Sequence, residues 1–392
     1  MITVSINTPV RHNFISEKYY QDNKILVLIP TGTRSDLSNH VKKNAIDIIE
    51  FVDIYHIKKE LEGNNHISKN MKIFSVSEDF MYTAALLREH FNISGMNHEE
   101  TIAFRDKTIM KKMVDNKGIR VPKFNSYISS YSFNDIVNSV GIPFVLKPID
   151  AAGSIGVYII ESTTQFEKAK LDILDSSNYE FEEYIEGTLY HVDILLQNNK
   201  VIFESTCEYS LPNIEFANGK HFSSLILDDN CTVSKRLRPF ARSAVSALGL
   251  KNGPAHIEIF ISNNDELVFL EAACRTPGAS VVPMYEKQFG FNMIEESLNI
   301  ELNKPVNEIN LVSDINLFSG VFPLRSGTVK KINIPMLTSK IEMTTNCNIG
   351  SRYETSDSLK SIGGNFFVKN TNMEELRHDF ENLREHQFID VF

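Results

Sequence analysis

The sequence predicts an α+β fold in three parts: an open parallel sheet with helices first, a hairpin-rich centre, and a strand-rich tail. Three observations predict it. The first hundred residues alternate short apolar runs with amphipathic helical stretches, the βα pattern of an open sheet. From 143 to 273, apolar runs follow one another across tight turns, which is hairpin grammar. The tail from about 313 is again rich in strand formers. Soft boundaries near 97 and 310 divide the chain into 1–97, 98–310 and 311–392.

Taken in order, residues 24–29 (KILVLI) form a short buried strand ended by Pro30-Thr31-Gly32-Thr33. Residues 71–76 are a second strand, and 80–90 a helix with Met81, Ala84 and Ala85 toward a core. Asn97 caps the next helix, Glu99 and Glu100 suit its positive end, and Gly118 closes it. Strands are expected at 143–148, 156–160, 179–185, 191–197 and 201–204, the last two joined by Asn198-Asn199. After a polar, irregular stretch come a helix at 234–248, strands at 255–261 and 267–273, and a late helix at 372–385.

At 392 residues the chain has room for two or three domains of roughly 100–200 residues each. Forty basic against fifty acidic residues leave a net charge of -10, which argues against a nucleic-acid partner. No apolar run reaches the ~18 residues of a membrane span. The first eleven residues lack the basic start and apolar core of a signal peptide. Cys207, Cys231, Cys274 and Cys347 are scattered and form no CxxC pair, so neither a disulfide framework nor a zinc ribbon is expected. The expected compartment is the cytoplasm.

The glycine-rich stretch Ala151-Ala152-Gly153-Ser154-Ile155-Gly156-Val157 joins two strands. A Walker loop or dinucleotide turn has a helix behind its glycines. Two readings therefore stand: a plain glycine hairpin, or a flexible loop whose amides close over a phosphate. Lys147 lies in an apolar strand four residues before this loop begins. Such a lysine is either at an exposed edge or aimed at an anion. Lys107, in Arg105-Asp106-Lys107, stands at a helix start and by itself reads as a solvated residue. The run Glu180-Phe181-Glu182-Glu183-Tyr184-Ile185-Glu186-Gly187 is either a solvated strand face or a strand end that offers its backbone and a carboxylate to a flat base.

The sharpest local argument concerns the strands 255–261 and 267–273, which flank Ser262-Asn263-Asn264-Asp265. A short loop there puts Glu258 opposite, or nearly opposite, Glu271. Like charges facing across a sheet repel. A hard cation between them turns repulsion into coordination, and Mg2+ takes carboxylates plus phosphate oxygens. Two exposed acids are the alternative. Arg275 follows closely, where a guanidinium can bridge to the carboxylates or bind an acyl or phosphoryl oxygen.

In this order, Arg105-Asp106-Lys107, Phe144-Val145-Leu146-Lys147-Pro148, the loop 151–157, Glu182-Glu183-Tyr184-Ile185-Glu186-Gly187, His256-Ile257-Glu258, and Glu271 with Arg275 resemble the ATP-grasp superfamily. The likeness runs over nearly the whole chain. Within the superfamily, Gly253-Pro254-Ala255-His256-Ile257-Glu258 and Gly327-Thr328-Val329 resemble carboxylate–amine ligases of the L-amino-acid ligase type.

The resemblance implies an ATP-grasp fold whose centre is a two-subdomain nucleotide-binding region, with ATP and Mg2+. It implies that Lys107 and Lys147 hold phosphates and that Gly153, Ser154 and Gly156 form the closing loop. Glu182, or Glu183 if the register slips by one, meets the adenine amine, and Tyr184 and Ile185 give backbone contacts to the base. Glu258 and Glu271 ligate magnesium, and Arg275 stabilises an acyl phosphate. Two positions depart from the family pattern. Leu189 stands where a ribose-binding Glu is common, with His191 or Asp193 as replacements. Ala273 stands where the second metal acid is often followed by Asn.

The implied reaction is ATP-dependent amide formation between a small carboxylate and an amine, one of them an amino acid. His256 and His191 are candidate bases, although a lone strand histidine is more often structural. Two rivals are a bicarbonate-using carboxylating ligase and a nucleotide-binding protein without catalysis. Loops at 205–233 and 276–290 are expected to select substrates, and the oligomeric state stays open, a homodimer included.

Overall fold

The computed structural model describes residues 1–63, 70–173, 175–216, 218–307, 315–356, 359 and 361–392. The chain opens with a parallel sheet of β1 (Ile2–Ile6), β2 (Ile25–Pro30), β3 (Asp47–Phe51) and β4 (Met71–Phe74), in the order β3-β2-β1-β4. Its two inner strands are buried on both faces because helices cover both; β2 is a continuous apolar run, while β1 alternates Ile2, Val4 and Ile6 with buried Thr3 and Ser5. The sequence reading found β2 and β4 but not β1 or β3.

The helical stretch read between 97 and 118 is two helices, His98–Ile102 and Lys107–Asp115. Asn97 and Glu100 form a capping box at the first. The break falls at Asp106, whose carboxylate accepts from the backbone N–H groups of Thr108 (2.8 Å) and Ile109 (3.0 Å). A side chain that takes those donors starts a new helix there. Lys107 becomes its first residue.

A small antiparallel sheet follows, with β5 (Phe124–Ser126), β6 (Phe144–Pro148), β7 (Tyr158–Ile160) and β8 (Tyr179–Glu183) in the order β5-β8-β6-β7. Helices Phe133–Val140 and Thr163–Asp172, absent from the sequence reading, pack on its apolar face. Phe144, Leu146, Phe166 and Phe181 form that core. Strand alternation sends Lys147, Glu180 and Glu182 to the opposite face, with Lys147 the register partner of Glu180.

The rest forms one large sheet and a smaller one. Its strands are β9 (Gly187–Gln197), β10 (Lys200–Tyr209), β11 (Phe222–Ile226), β12 (Gly253–Ser262), β13 (Leu267–Ala273), β14 (Asn316–Phe322), β15 (Gly327–Ile332), β16 (Lys340–Thr345), β17 (Arg352–Tyr353), β18 (Gly364–Asn370) and β19 (Ile389–Val391). Among the described residues the large sheet runs β13-β12-β9-β10-β11-β14-β18-β16, and β17-β15-β19 form the smaller one. The stretch read as irregular contains β11. The expected boundary at 310/311 lies outside the described residues; beyond it, β14 pairs with β11 and continues the central sheet. Helix Thr232–Ala247 packs Leu237, Ala241 and Ala244 toward Val192, Ile257 and Ile259. Helix Val281–Phe289 lays Met284 and Tyr285 on Leu195 and Phe203 on the other face. No described helix is long and apolar enough to cross a membrane.

The small sheet joins the large one through the turn at Gly187, the first residue of β9, which pairs with Ser262 of β12. A Cβ added at Gly187 would lie 2.2 Å from the Ile261 carbonyl oxygen and 2.7 Å from the Ser262 Cα. The obstacle is the backbone of β12, which cannot swing aside as a side chain would, so the strands must part. Gly187→Ala is expected to destabilise the protein by roughly 1–3 kcal/mol through overpacking. A thermal melt that superimposes on that of the unaltered protein would sink this account of the junction.

Candidate active site

A cleft of about 190 Å³ opens between the small sheet and the large one. Its wall contains Lys107, Lys147, the loop residues Gly153 and Ser154, Glu182, Glu183, Tyr184, Ile185, Glu258 and Glu271. Ten residues singled out from separate parts of the sequence thus meet in one place. Gly156, His191, His256 and Arg275 lie outside that wall.

At the cleft's floor sit four buried charges. Lys147 Nζ is 2.5 Å from Glu182 Oε1 and 3.9 Å from Glu180 Oε1. Lys111 Nζ is 2.6 Å from Glu180 Oε1 and also contacts Glu182 Oε2. Burial works against the Lys147 charge, but Glu182, Glu180 and Glu271 outweigh it and hold its pKa above the ordinary lysine value. Glu182, with an ammonium group on each oxygen, stays below the usual carboxylate range although burial opposes this. Glu183 points elsewhere: Arg120 Nη2 lies 2.8 Å from both its oxygens.

Above this floor the helix start delivers Lys107, whose Nζ donates to the Ala151 carbonyl (2.7 Å) and lies 3.6 Å from Glu271 Oε2. The lysine therefore links the glycine loop to the hairpin. In that loop Gly153, Ser154 and Gly156 all have positive φ, and for Ser154, at 61°, this is a strained conformation for a residue with a side chain.

The hairpin β12–β13 has Glu258 and Glu271 as direct register partners, as the sequence suggested, with a bulge immediately after Glu258. Glu258 is buried, and its Oε1 accepts from the Tyr209 hydroxyl (3.0 Å) and the Asn213 side chain (3.2 Å). His256 Nε2 is 3.5 Å from the same oxygen. Burial would raise the Glu258 pKa, but the hydrogen bond and charge of His256, with Asn213 and Tyr209, hold it down to about 2. Two facing carboxylates with Glu258 kept ionised make an all-oxygen donor set, which suits a hard divalent cation.

Residues 140–283 match the family model described as "ATP-grasp domain". The chain is 26% identical over 329 residues to the L-arginine-specific L-amino acid ligase of Bacillus subtilis, covering 81% of this chain and 78% of that protein. It is 26% identical over 276 residues to the alanine–anticapsin ligase of Bacillus subtilis strain 168, covering 62% of this chain and 58% of that protein. The solved L-amino acid ligase of Bacillus licheniformis superposes with a TM-score of 0.76 at 15% identity, over 100% of this chain and 99% of that one. The chain carries an ATP-grasp domain. Its enzyme class is that of the ATP-dependent ligases that form carbon–nitrogen bonds.

Beside the ATP-grasp cleft is a second polar cluster, most of it unread in the sequence. Arg275 Nε contacts Glu78, which Arg105 Nη1 also contacts. Burial would raise the Glu78 pKa, but the two guanidiniums hold it down to about 2. Arg11 Nη1 reaches Thr276 Oγ1 (3.1 Å) and the Pro277 carbonyl. Arg11 and Glu78 come from short helical turns that follow strands of the N-terminal sheet, Pro9–Asn13 and Glu78–Phe80, so no local pattern links them to Arg275. Lys111 had a legible signal: it follows Lys107 by four residues, which puts both on one helix face.

Asp193 organises the remaining part. Its oxygens lie 2.8 Å from His191 Nδ1 and 2.7 Å from His256 Nδ1, and Tyr285 donates to it as well. His191 Nε2 is 3.0 Å from Ser224 Oγ, so both its ring nitrogens are engaged and it does not reach the cleft as a ribose contact. The three side chains are close enough to hold a metal ion. However, Asp193 already receives three donors, which identifies a hydrogen-bond hub. Burial would lower both histidine pKa values. For His191, Cys207 and Asp193 outweigh burial; for His256, Asp193 and Glu258 do; both end at about 9.

Such raised values stabilise the fold fully below the unfolded value of 6.5, and that contribution is lost as pH rises through about 9. Asp193→Asn is therefore expected to melt well below the unaltered protein at pH 6, with the gap closing toward pH 9.5. Melting curves across this range with a chelator present measure it. A gap that stays constant or widens with pH would contradict the assignment.

Proposed function

We propose that this ligase joins the carboxylate of an amino acid, or of a related small acid, to an amine through an acyl-phosphate intermediate. The observation that carries the reading is the meeting, in one cleft, of Lys107 and Lys147, the 151–157 loop and the facing pair Glu258 and Glu271. This combination suits phosphoryl transfer, in which positioning and charge neutralisation supply most of the catalysis.

In this reading the adenine lies against the backbone of Tyr184 and Ile185. Glu182 accepts from the adenine amine, since Glu183 is tied to Arg120. Lys107 and Lys147 bind phosphate oxygens, and Gly153 and Ser154, with Gly156 at the loop base, close over them. Glu258 and Glu271 would hold magnesium, which would supply positive charge against that developing during phosphoryl transfer. The substrate carboxylate oxygen attacks that phosphorus, the bond to the β–γ bridging oxygen breaks, and ADP leaves. The amine then attacks the acyl carbon, the bond between that carbon and the phosphate oxygen breaks, phosphate leaves, and the proton lost by the amine passes to solvent. Arg275, aimed by Glu78, stands ready for the oxyanion of that second step.

His256 stands two residues before Glu258 on the same face of β12, where its Nε2, 3.5 Å from Glu258 Oε1, supports that carboxylate rather than lining the cleft. The sequence of the chain, similar to relatives named for arginine and for alanine with anticapsin, supports amino-acid substrates as the class.

The test is a phosphate-release screen over pairs of amino acids with Mg-ATP, with mass spectrometry of the products. Phosphate release and a condensed product are expected for at least one pair; ATP turnover supported by bicarbonate with no amino acid would select a carboxylating ligase instead. Glu258→Gln and Glu271→Gln are each expected to abolish product and to weaken Mn2+ binding measured by electron paramagnetic resonance, with the melting temperature retained. Full activity in either variant would refute the shared metal site.

A further inference from the structure

Lys111 takes no part in the scheme above, yet it is among the most deeply buried charges in the chain, at 0% exposed. Its Nζ lies between Glu180 and Glu182, 2.6 Å from the former, with the Phe124 ring 5.1 Å away on another side. It does not line the cleft and cannot touch a ligand there. Burying an ammonium together with two carboxylates is a poor source of stability, because desolvation offsets most of the attraction. A hydrophobic replacement of similar volume would serve packing as well. The reason for Lys111 lies in what it does to its neighbours.

The local charges balance: two lysines, Lys111 and Lys147, face two glutamates, Glu180 and Glu182. Glu182 is shared, one oxygen to each lysine. Glu180 is held through Oε1, and among the described residues its Oε2 has no hydrogen-bond partner. Without Lys111, Lys147 would face two carboxylates by itself. It would be drawn toward Glu180, from which it now stands 3.9 Å away, and away from the cleft.

We propose that Lys111 is a positioning residue of the nucleotide site: its ammonium group neutralises Glu180 and Glu182 from below, leaving Lys147 available to a phosphate oxygen and Glu182 fixed at the cleft floor. The helix beginning at Lys107 thus sends one lysine to the phosphate end of the cleft and, one turn later, a second beneath its floor. The inference rests on the reading of this cleft as the nucleotide site.

The test is calorimetric titration of MgADP into the full chain and three variants: Lys111→Met, Lys111→Met combined with Glu180→Gln, and Lys147→Met as reference. Loss of one charge-assisted contact corresponds to about tenfold or more in affinity, so Lys111→Met is expected to bind MgADP at least about tenfold more weakly. The double variant restores charge balance, and its affinity is expected to return to within about threefold of the starting value. In turnover, KM for ATP should rise in Lys111→Met while KM for the amino acid stays unchanged. A folded Lys111→Met with unaltered MgADP affinity would overturn the proposal, as would a double variant no better than the single. Loss of a cooperative melt in both would overturn it too, since Lys111 would then be a requirement of the fold. Failure of the unaltered protein to bind MgADP would instead sink the nucleotide reading itself.

Discussion

Two lysines and two glutamates, buried together where the small sheet meets the helix at Lys107, are the constraint on which the cleft depends. Charged groups are stable in such a place only when every one is paired. The pairing demands that β6 and β8 turn the same face toward the helix, which their register provides by setting Lys147 beside Glu180. It also demands that the helix begin where it does. Asp106 starts it at Lys107, and the next turn brings Lys111 between the carboxylates. A one-residue slip in either strand would carry its charges into the apolar core of Phe144, Leu146 and Phe181. Local capping, strand alternation and charge pairing therefore agree, and their agreement closes one side of the cleft.

The other side is built on a different principle. The carboxylates of Glu258 and Glu271 face each other across β12 and β13, and no lysine is inserted to quench them fully; Lys107 stands 3.6 Å from Glu271. Behind Glu258, neutral and cationic donors hold the side chain in place. Tyr209 and Asn213 donate to one oxygen, and His256 is itself oriented by Asp193. The chain of contacts then runs to Tyr285 on the helix Val281–Phe289 and to His191 on β9, the strand beside β12. Support of this kind fixes the direction of a ligand carboxylate. The two walls divide the work: the floor is electrically closed, while the hairpin leaves negative charge facing the cleft.

The parts of this arrangement that were legible in the sequence are those carried by local pattern. The turn at Asn263-Asn264-Asp265 placed Glu258 opposite Glu271 because hairpin pairing is set by loop length. Lys147 stood out as a cation in an apolar strand. The 151–157 loop read correctly as a connection between strands. What was not legible depends on contacts distant in sequence. The spacing of Lys111 from Lys107 shows their shared helix face, but its partners Glu180 and Glu182 emerge only when β8 is laid beside it. Glu78 acquires meaning only when Arg275, 197 positions later, folds onto it. The strands β1 and β3 and the helices Phe133–Val140 and Thr163–Asp172 were missed for a related reason. Their periodicity is short or mixed, and packing on neighbours decides their conformation.

The two departures from the family pattern show how the fold accommodates them. Leu189 is buried in a cluster with Tyr209, Phe216 and Phe222, and it lines the cleft beside Phe260 and Leu270. An acid there would be buried among apolar side chains without a partner, so this part of the cleft is walled by packing. At the other departure, Ala273 is the register partner of His256 on the hairpin's edge. A larger polar residue at that position would compete for the space around His256. The amide that approaches Glu258 comes instead from Asn213, on the turn Asn213–Phe216 after β10. That turn lies within the 205–233 segment expected to select substrates. The same stretch of chain therefore touches both the Glu258 carboxylate and the cleft wall, through Pro212, Asn213, Ile214 and Glu215. Changes in the turn would be felt at Glu258 as well as at the cleft surface, which couples substrate selection to the geometry of the site where phosphoryl transfer is proposed to occur.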